Sequence, residues 1–501
     1  MKPHIGSNVF SGIKLFLIYS IPVLLVLSLR FKLEQIHDGS LNLFFTAKMY
    51  ITAFIAAFGT GYYFSRMFSR FFKPAVWICS FIFWLIAFCY LLSYVLTYNL
   101  PTESIFITVF DTTYHHTLDF FQTVPFSVYF RIILYWGIWL YLAKTVKTPV
   151  SQKGDILYYG ILFILFSVFC FATQWEGSFF NNGLKAYQSY FDLKKEIAFL
   201  LQNEKKTSFE LKSPDIPRTI VIAVGESSNR RVFNENINDF KEKTDFLKNQ
   251  PILISDATAS SISTAFSLKK ILLPNDVPLI SAYKKAGFKT FWFSNHFKSG
   301  KDDNLIYALT RNIDDRRYFN HTKTNVAYEY TSQYYDDILL SPLKQALDDP
   351  YPRKIIFLHL FGSHFPYINR YPNATEQLMS DQYSASVRYT NTVLAKALKL
   401  IESSDQNSAF IYFSDHGTIP LQPFYRPQTG DDMLNIPMFF WFSAPYRKAF
   451  SGNIEEKIQC LKGPDTSEVA FLINRLAKIE IADIPVSTNE QECFQKESSR
   501  K

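Results

Sequence analysis

Charged residues are scarce in this chain, at 19% of 501 residues, where an ordinary soluble domain has about 25%. The sequence also contains no internal repeat, no glycine-rich loop that could cradle phosphates and no dinucleotide-binding fingerprint. These absences exclude repeat architectures and the common nucleotide-binding classes. Lysine and arginine together outnumber the acidic residues by 52 to 44, without the clustering typical of proteins that bind nucleic acids.

The first 172 residues contain long apolar stretches instead. About 20 apolar residues are needed to cross a bilayer, and we identify five candidate spans, two of them short. They are residues 13–29, 49–64, 76–96, 128–142 and 156–172. No small-x-small cleavage site follows the first stretch, so we interpret it as a retained helix and not as a signal peptide.

The charges of the loops predict how these spans are oriented. Loops 65–75 and 143–155 each carry three basic residues, whereas segment 97–127 has no lysine or arginine. We therefore expect a cytoplasmic amino terminus, with everything after residue 172 in the periplasm or outside the cell. Arg30 and Lys32 are exceptions, because they follow the first span on the side predicted to be external.

Cysteine is also rare, with five residues. Three lie within the apolar spans, and Cys460 and Cys493 fall in the part expected to be exported. An oxidising compartment favours a disulfide between these two, which would contribute roughly 4 kcal/mol on the chain-entropy model. The alternative is two free thiols, because Cys493 lies in a polar tail.

Composition divides the chain into four parts. Residues 1–172 are predicted to form a transmembrane domain, 173–217 a linker with an amphipathic helix over 184–202, 218–490 a catalytic domain, and 491–501 a frayed tail. In the third part, apolar strand-like runs alternate with helical segments, which predicts a mostly parallel sheet covered by helices on both faces. The strand-like runs are 220–224, 252–255, 290–293, 355–360, 409–413 and 438–442, and the helical segments include 277–286, 336–347 and 383–402.

Three of these strand-like runs end in polar residues. Glu226 follows the first run, His364 follows the fourth, and Asp415 and His416 follow the fifth. Ligands gather outside the carboxyl ends of parallel strands, so we expect these side chains to meet. An Asp-His-Gly turn alone is more often structural, but together with Glu226 it favours a metal site, and carboxylates plus imidazole suit Zn²⁺.

A nucleophile is expected beside this metal. Residues 255–267 are rich in hydroxyls and precede a helix-like segment over 266–273. Most of these hydroxyls are expected to be helix caps or surface groups, and one could be activated by the metal. Composition leaves four candidates open, which are Ser260, Ser261, Ser263 and Thr264.

Four motifs carry a resemblance to a known family. VIAVGESSNRR, STAFSL, LHLFGSHFPYINRYP and YFSDHG, in this order, resemble the periplasmic phosphoethanolamine transferases, which modify lipid A, lipopolysaccharide core sugars or periplasmic glucans. The resemblance covers nearly the whole chain. It implies an alkaline-phosphatase and sulfatase fold behind five transmembrane helices, in the inner membrane of a Gram-negative cell, with phosphatidylethanolamine as donor and lipopolysaccharide or glucan as acceptor.

The resemblance also assigns roles to particular residues. It implies that Glu226, Asp415 and His416 bind zinc together with Thr264, the nucleophile, and that His364 contacts the phosphoryl group or a second zinc ion. A phosphate-pocket lysine falls on Lys301, or else on Lys298. The nearby His296 is a further candidate for substrate binding, although for a lone loop histidine we expect surface exposure.

Two further segments bear on substrate binding. The loop that contains Asp111, Thr112 and His116 would face the active site and donor lipid, or else be interfacial without a chemical role. Many family members carry a second histidine soon after Asp-His-Gly, but residues 417–435 contain none. Tyr425 or Arg426 could replace it, so the number of zinc ions stays open.

The cysteines that bracket the nucleophile in the lipid A enzymes are also absent, which hints at the branch that acts on core heptose or glucans.

Two other functions compete with this one. A phosphoglycerol transferase or sulfatase-like hydrolase could use the same fold, but the Gly-Ser-His and Arg-Tyr-Pro text argues against the first, and a sulfatase would need Cys-x-Pro-x-Arg. A catalytically inactive membrane scaffold or transporter is the alternative of another class. The missing second histidine is its best support.

Overall fold

The computed structural model separates the chain into two compact units. It describes residues 72–97, 126–146, 177–202, 208–211, 218–247, 252–297, 305–320, 334–365, 367–372, 381–404, 406–418, 431–450, 453–461, 463–481, 483–484 and 492–494, with isolated positions at 14–29 and 101–124. The predicted spans 49–64 and 156–172 lie outside these residues, so the count of five spans stays a prediction.

The described part of the first unit is helical. Helices Phe72–Thr97 and Phe126–Thr145 coincide with the third and fourth predicted spans. Among the described residues, Phe126–Thr145 is long and apolar enough to cross a membrane, and Ser80–Val95 is a shorter apolar stretch. Trp84 connects three segments through hydrogen bonds. Its indole N–H donates to the Ile18 carbonyl at 2.6 Å, and its own carbonyl accepts from the Tyr135 hydroxyl at 2.7 Å.

The predicted amphipathic helix runs over Gly177–Gln202 and begins earlier than expected. Its carboxyl-terminal half belongs to the second unit. There Tyr190 is buried in the hydrophobic core, and Glu196 Oε2 lies 2.6 Å from Lys269 Nζ. This half of the helix therefore packs on the second unit.

The second unit is built on a seven-stranded sheet. Its strands are β2 Arg218–Gly225, β3 Leu253–Thr258, β4 Lys289–Phe297, β5 Asp315–Asn320, β6 Arg353–His359, β7 Ser408–Ser414 and β8 Asn435–Phe442. They lie in the order β3-β8-β7-β2-β6-β4-β5. β8 runs antiparallel to β3 and β7, and the other neighbouring pairs are parallel. All six strands predicted from the apolar runs are confirmed.

Both faces of the sheet are covered, as predicted. Along β2, Ile220 and Val224 belong to the core on one face, and Val221 and Ala223 to the core on the other. Every residue of β2 and β7 is buried, because a strand between two helical layers needs apolar side chains on both sides. The helices of this unit are Arg230–Glu235, Ile237–Lys243, Thr264–Leu272, Leu279–Lys285, Leu305–Leu309, Leu340–Asp348, Gln382–Ser403, Asp431–Leu434, Ala444–Ala449, Ile454–Cys460 and Val469–Ala477.

Two segments at the margins of this domain contain structure that the sequence pattern did not predict. Strand β1, Phe209–Leu211, lies in the predicted linker and pairs with β9, Ile479–Ile481, in a separate antiparallel ribbon. Residues 492–494 do not fray from the domain, because Cys493 is buried in the core and the Phe494 ring contacts Phe471 at 6.0 Å.

Candidate active site

Glu226 and Asp415 meet because their strands are parallel neighbours in register. Gly225 at the end of β2 pairs with Ser414 at the end of β7, so the next residue of each strand emerges at the same edge of the sheet. Glu226, Asp415 and His416 are buried and each offers a ligand atom, and these atoms lie within 4.8 Å of one another. This is the grouping expected from the sequence.

Thr264 completes the group from the first position of helix Thr264–Leu272. Its hydroxyl donates to Glu226 Oε2 at 2.8 Å and lies 3.5 Å from His416 Nε2. Two of the other candidate hydroxyls make different contacts, since the Ser260 hydroxyl accepts from the Thr466 hydroxyl and the Ser261 hydroxyl accepts from the Ser263 amide. The geometry thus favours Thr264 among the four candidates.

The turn after β2 is held in an unusual conformation. Ser227 has φ 57°, a left-handed conformation that costs a non-glycine residue about 1–3 kcal/mol. Its amide donates to Asp415 Oδ1 at 3.2 Å, its hydroxyl to Glu226 Oε1 at 2.6 Å, and its carbonyl accepts from the Tyr383 hydroxyl at 2.8 Å. These bonds offset the strain and fix both carboxylates, and the sequence alone did not single out Ser227.

The ring of His416 is oriented by its own turn. Nδ1 lies 2.7 Å from the Gly417 carbonyl and donates to it, so Nε2 is the nitrogen directed at the carboxylates. Nε2 faces Glu226 Oε1 at 3.2 Å and Asp415 Oδ2 at 3.7 Å. A metal-ligating histidine is typically held in this way through its other nitrogen.

The electrostatics of this group fit a divalent cation. Burial favours a raised pKa for Glu226, but His416, aided by His364 and His296, holds that pKa well below its usual range. Burial, and then the charge of Glu226, raise the pKa of Asp415 to about 7. Asp415 Oδ2 is buried without a hydrogen-bond partner, which is costly for a carboxylate. A cation held by Glu226, Asp415 and His416 would offset the repulsion between the two carboxylates and give Asp415 Oδ2 a partner.

Two more histidines approach this group from β6 and β4. His364 lies in the turn after β6, with Nδ1 2.5 Å from the Phe365 carbonyl. His296 lies on β4, donates from Nε2 to the Leu360 carbonyl at 2.8 Å and stacks on the His359 ring at 4.0 Å. The surface exposure expected for His296 is therefore wrong, since its strand position packs the ring against a buried neighbour. Burial lowers the pKa of His296.

The remaining predicted site residues divide into two sets. Cys460 and Cys493 are joined in a disulfide with a Cα–Cα distance of 5.7 Å. The others lie outside the described residues, namely Lys298, Lys301, Asp111, Thr112, His116, Tyr425 and Arg426.

A fold of this kind, with a carboxylate, histidine and threonine cluster at the carboxyl ends of its parallel strands, defines a sulfatase-type catalytic domain. Residues 218–460 match the model of the sulfatase family. The chain is also similar to phosphoethanolamine transferases. It is 27% identical over 295 residues to phosphoethanolamine transferase EptC of Escherichia coli K12, covering 50% of each protein. It is also 27% identical over 319 residues to phosphoethanolamine transferase CptA of Salmonella typhimurium, covering 54% of each.

The matched part thus spans about half the length of these curated relatives. A solved structure is similar over a longer range. The integral membrane protein lipooligosaccharide phosphoethanolamine transferase A of Neisseria meningitidis aligns over 95% of this chain and 96% of its own, with a TM-score of 0.65 and 17% identity. At this identity the likeness establishes a shared fold. The family resemblance predicted from the four motifs is confirmed.

Proposed function

We propose that the protein transfers phosphoethanolamine from phosphatidylethanolamine to an acceptor in the cell envelope through a covalent intermediate on Thr264. The observation that carries the proposal is the position of the Thr264 hydroxyl, 2.8 Å from Glu226 Oε2 and 3.5 Å from His416 Nε2 at a helix start. The relatives named as phosphoethanolamine transferases support the substrate class.

Glu226, Asp415 and His416, with Thr264, would hold one zinc ion. When bound, zinc would lower the pKa of the Thr264 hydroxyl and offset negative charge on the transferring group. The orphaned Asp415 Oδ2 and the position of His416 Nε2, 3.2 Å from Glu226 Oε1, support this ligand set.

The reaction then proceeds in two displacements at phosphorus. Thr264 Oγ attacks the phosphodiester, its proton passes to the departing diacylglycerol oxygen, and a phosphoethanolamine–threonine ester forms. An acceptor hydroxyl or phosphate oxygen next attacks phosphorus, and the threonine oxygen leaves and regains a proton. Thr264 is the first residue of helix Thr264–Leu272, so the unpaired amide groups of that first turn would favour an anionic phosphoryl group. Such a mechanism implies ping-pong kinetics.

Other residues are proposed to surround the transferring group. His364 would contact its phosphoryl oxygens, supported by its electrostatic proximity to Glu226. Lys301, or Lys298, would add a positive charge, and the loop with Asp111, Thr112 and His116 would approach the donor lipid. We retain the proposed division into a five-helix domain over residues 1–172, a linker over 173–217 and a catalytic domain over 218–490.

The proposed location is the inner membrane of a Gram-negative cell, with the amino terminus in the cytoplasm and the catalytic domain in the periplasm. The disulfide between Cys460 and Cys493 supports an oxidising compartment. The lipid donor is consistent with the apolar helices Phe72–Thr97 and Phe126–Thr145. The acceptor is proposed to be lipopolysaccharide or a periplasmic glucan.

Intact-mass analysis of the purified full chain, incubated with phosphatidylethanolamine and zinc, tests this function. We expect an added phosphoethanolamine mass on Thr264 that is absent in Thr264→Ala and unchanged in the matched control Ser263→Ala. A glycerol-phosphate adduct with phosphatidylglycerol instead would establish a phosphoglycerol transferase. No adduct from either lipid, in protein that binds no zinc, would favour the inactive scaffold.

A further inference from the structure

A second buried carboxylate, Asp336, lies behind the active site and outside the metal group. The residue is 3% exposed, and its carboxylate receives three hydrogen bonds. Oδ1 accepts from the Phe361 amide at 2.7 Å and from Asn295 Nδ2 at 2.9 Å, and Oδ2 accepts from the Gly362 amide at 2.8 Å. The two strand ends that carry His364 and His296 therefore meet on one side chain.

The turn bonded by Asp336 is held from the opposite side by Glu226. The Ser363 amide donates to the Glu226 carbonyl at 2.9 Å. Gly362 has φ +52°, and a Cβ there would lie 2.7 Å from the Glu226 carbonyl oxygen, so the turn has no room to move toward β2. Asp336 closes the other side, and the His364 backbone is fixed relative to the metal group.

Asp336 also holds the segment that carries His296. The Asn295 side chain donates to Asp336 and to the Tyr334 carbonyl at 3.1 Å, while its Oδ1 accepts from Asn320 Nδ2 at 3.1 Å. With both functions of its amide used, Asn295 has one orientation that satisfies the network. The residue that follows it, His296, is thereby fixed on β4.

We propose that Asp336 is a positioning residue of the transferase, which sets His364 and His296 relative to Glu226 without contacting the substrate. A carboxylate is required because three N–H donors converge on it, and an ionised carboxylate is the side chain that only accepts. In Asp336→Asn an amide NH₂ group would face at least one of these donors, and a backbone N–H of the turn would lose its partner. This inference rests on the proposed function for its effect on rate.

The test compares Asp336→Asn with Asp314→Asn in the full-length protein. Asp314 is the matched control because it also accepts an N–H bond from β4, at Thr290, at the opposite end of the strand. We expect Asp336→Asn to slow formation of the threonine adduct by about 10-fold or more with bound zinc unchanged, and Asp314→Asn to leave the rate unaltered. On a His364→Ala background, Asp336→Asn should cost less than about 2-fold further, because residues that act through one another are not additive.

A spectroscopic measurement separates this inference from the proposed function. The Phe365 carbonyl near His364 Nδ1 predicts the Nδ1–H tautomer of this ring. ¹⁵N-histidine NMR distinguishes the two tautomers, and the signal that disappears in His364→Ala is the one that belongs to His364. The tautomer signal should be lost in Asp336→Asn and kept in Asp314→Asn. If the unmutated protein forms no adduct, the proposed function fails, while the signal still tests Asp336.

Two outcomes would overturn the inference. One is a full multiplicative effect of Asp336→Asn on the His364→Ala background, and the other is an unchanged His364 signal in Asp336→Asn. Should Asp336→Asn fail to fold, Asn295→Ala probes the same network, because it leaves the bonds of Asp336 to the turn intact. The His296 signal should then change while that of His364 persists, and an unchanged His296 signal would also overturn the inference.

Discussion

Two buried aspartates of this protein differ in how well hydrogen bonds stabilise their charge. Asp336 receives three N–H bonds, whereas Asp415 uses Oδ1 for the amides of Ser227 and His416 and has no partner for Oδ2. The pKa of both carboxyls is raised by burial, but that of Asp415 is raised further by the neighbouring Glu226. The charge of Asp415 is therefore unfavourable until a cation binds.

Neutralising Asp415 should consequently have opposite effects on metal binding and on stability. In Asp415→Asn the bonds to Oδ1 are retained, while repulsion with Glu226 is removed. A raised folded-state pKa means that the ionised group opposes folding above its unfolded pKa, and this penalty is full above pH 7. We expect zinc content to fall to background and the metal-free protein to become at least about 1 kcal/mol more stable at pH 8, the equivalent of one pKa unit.

Metal analysis and thermal unfolding in chelator check this prediction. Asp336→Asn provides the contrast, since loss of its N–H bonds should lower the melting temperature under the same conditions. A destabilised Asp415→Asn protein that still retains zinc would contradict the role given to this carboxylate.

At the scale of single elements, the turn after β7 depends on a glycine that has no room for a side chain. A Cβ on Gly417 would lie 2.3 Å from the Asp432 carbonyl oxygen, and the Gly417 amide donates to Met433 at 2.7 Å. The Gly417 carbonyl in turn accepts from His416 Nδ1 at 2.7 Å. A shift of this turn would rotate the His416 ring.

Gly417→Ala should therefore weaken zinc binding by about 10-fold or more, because a displaced partner misorients a metal-ligating histidine. Gly137→Ala is the control, since a Cβ there meets nothing within 4 Å. Competition with a chromophoric chelator measures both affinities. Equal affinities in the two variants would show that the turn can move without disturbing His416.

The elements themselves show how far sequence reasoning reaches. Apolar runs predict β2 and β7 because every residue of these strands is buried. β5 was missed because it is an edge strand in which four of six residues are only partly buried and three are charged. β1 was missed because it has three residues and pairs with a partner about 270 positions away, which no local pattern encodes.

The residues of the candidate site likewise divide into those that the sequence predicts and those that it does not. Glu226, Asp415 and His416 could be predicted because each lies within three residues of the end of a strand-like run, and parallel neighbours deliver such residues to one edge. The choice of Thr264 among four hydroxyls depended on family resemblance, and the geometry supports it through the bond to Glu226. Asp336 and Ser227 were not predicted, because their roles depend on hydrogen bonds to backbone amides and side chains that are distant in sequence.

At the scale of the whole molecule, the carboxyl-terminal segment closes the catalytic domain through a covalent bond. Cys460 ends helix Ile454–Cys460, and its partner Cys493 is buried beside Phe494, which packs on Phe471. The loop between the two cysteines contains helix Val469–Ala477 and strand β9. These elements hold the β1 ribbon and part of the core that supports helix Thr264–Leu272.

Reduction of this disulfide should destabilise the catalytic domain by roughly 4 kcal/mol, the loop-entropy value for a separation of 33 residues. Because a domain of this size loses about 2–4 °C per kcal/mol, we expect dithiothreitol to lower its melting temperature by about 8–15 °C. Cys493→Ser should show the lowered value without reductant and no further response to it. Cys89, a free thiol, supplies the control, since Cys89→Ser should respond to reductant like the unmutated protein. Equal melting temperatures with and without reductant would mean that packing of Phe494, and not the disulfide, holds this segment on the domain.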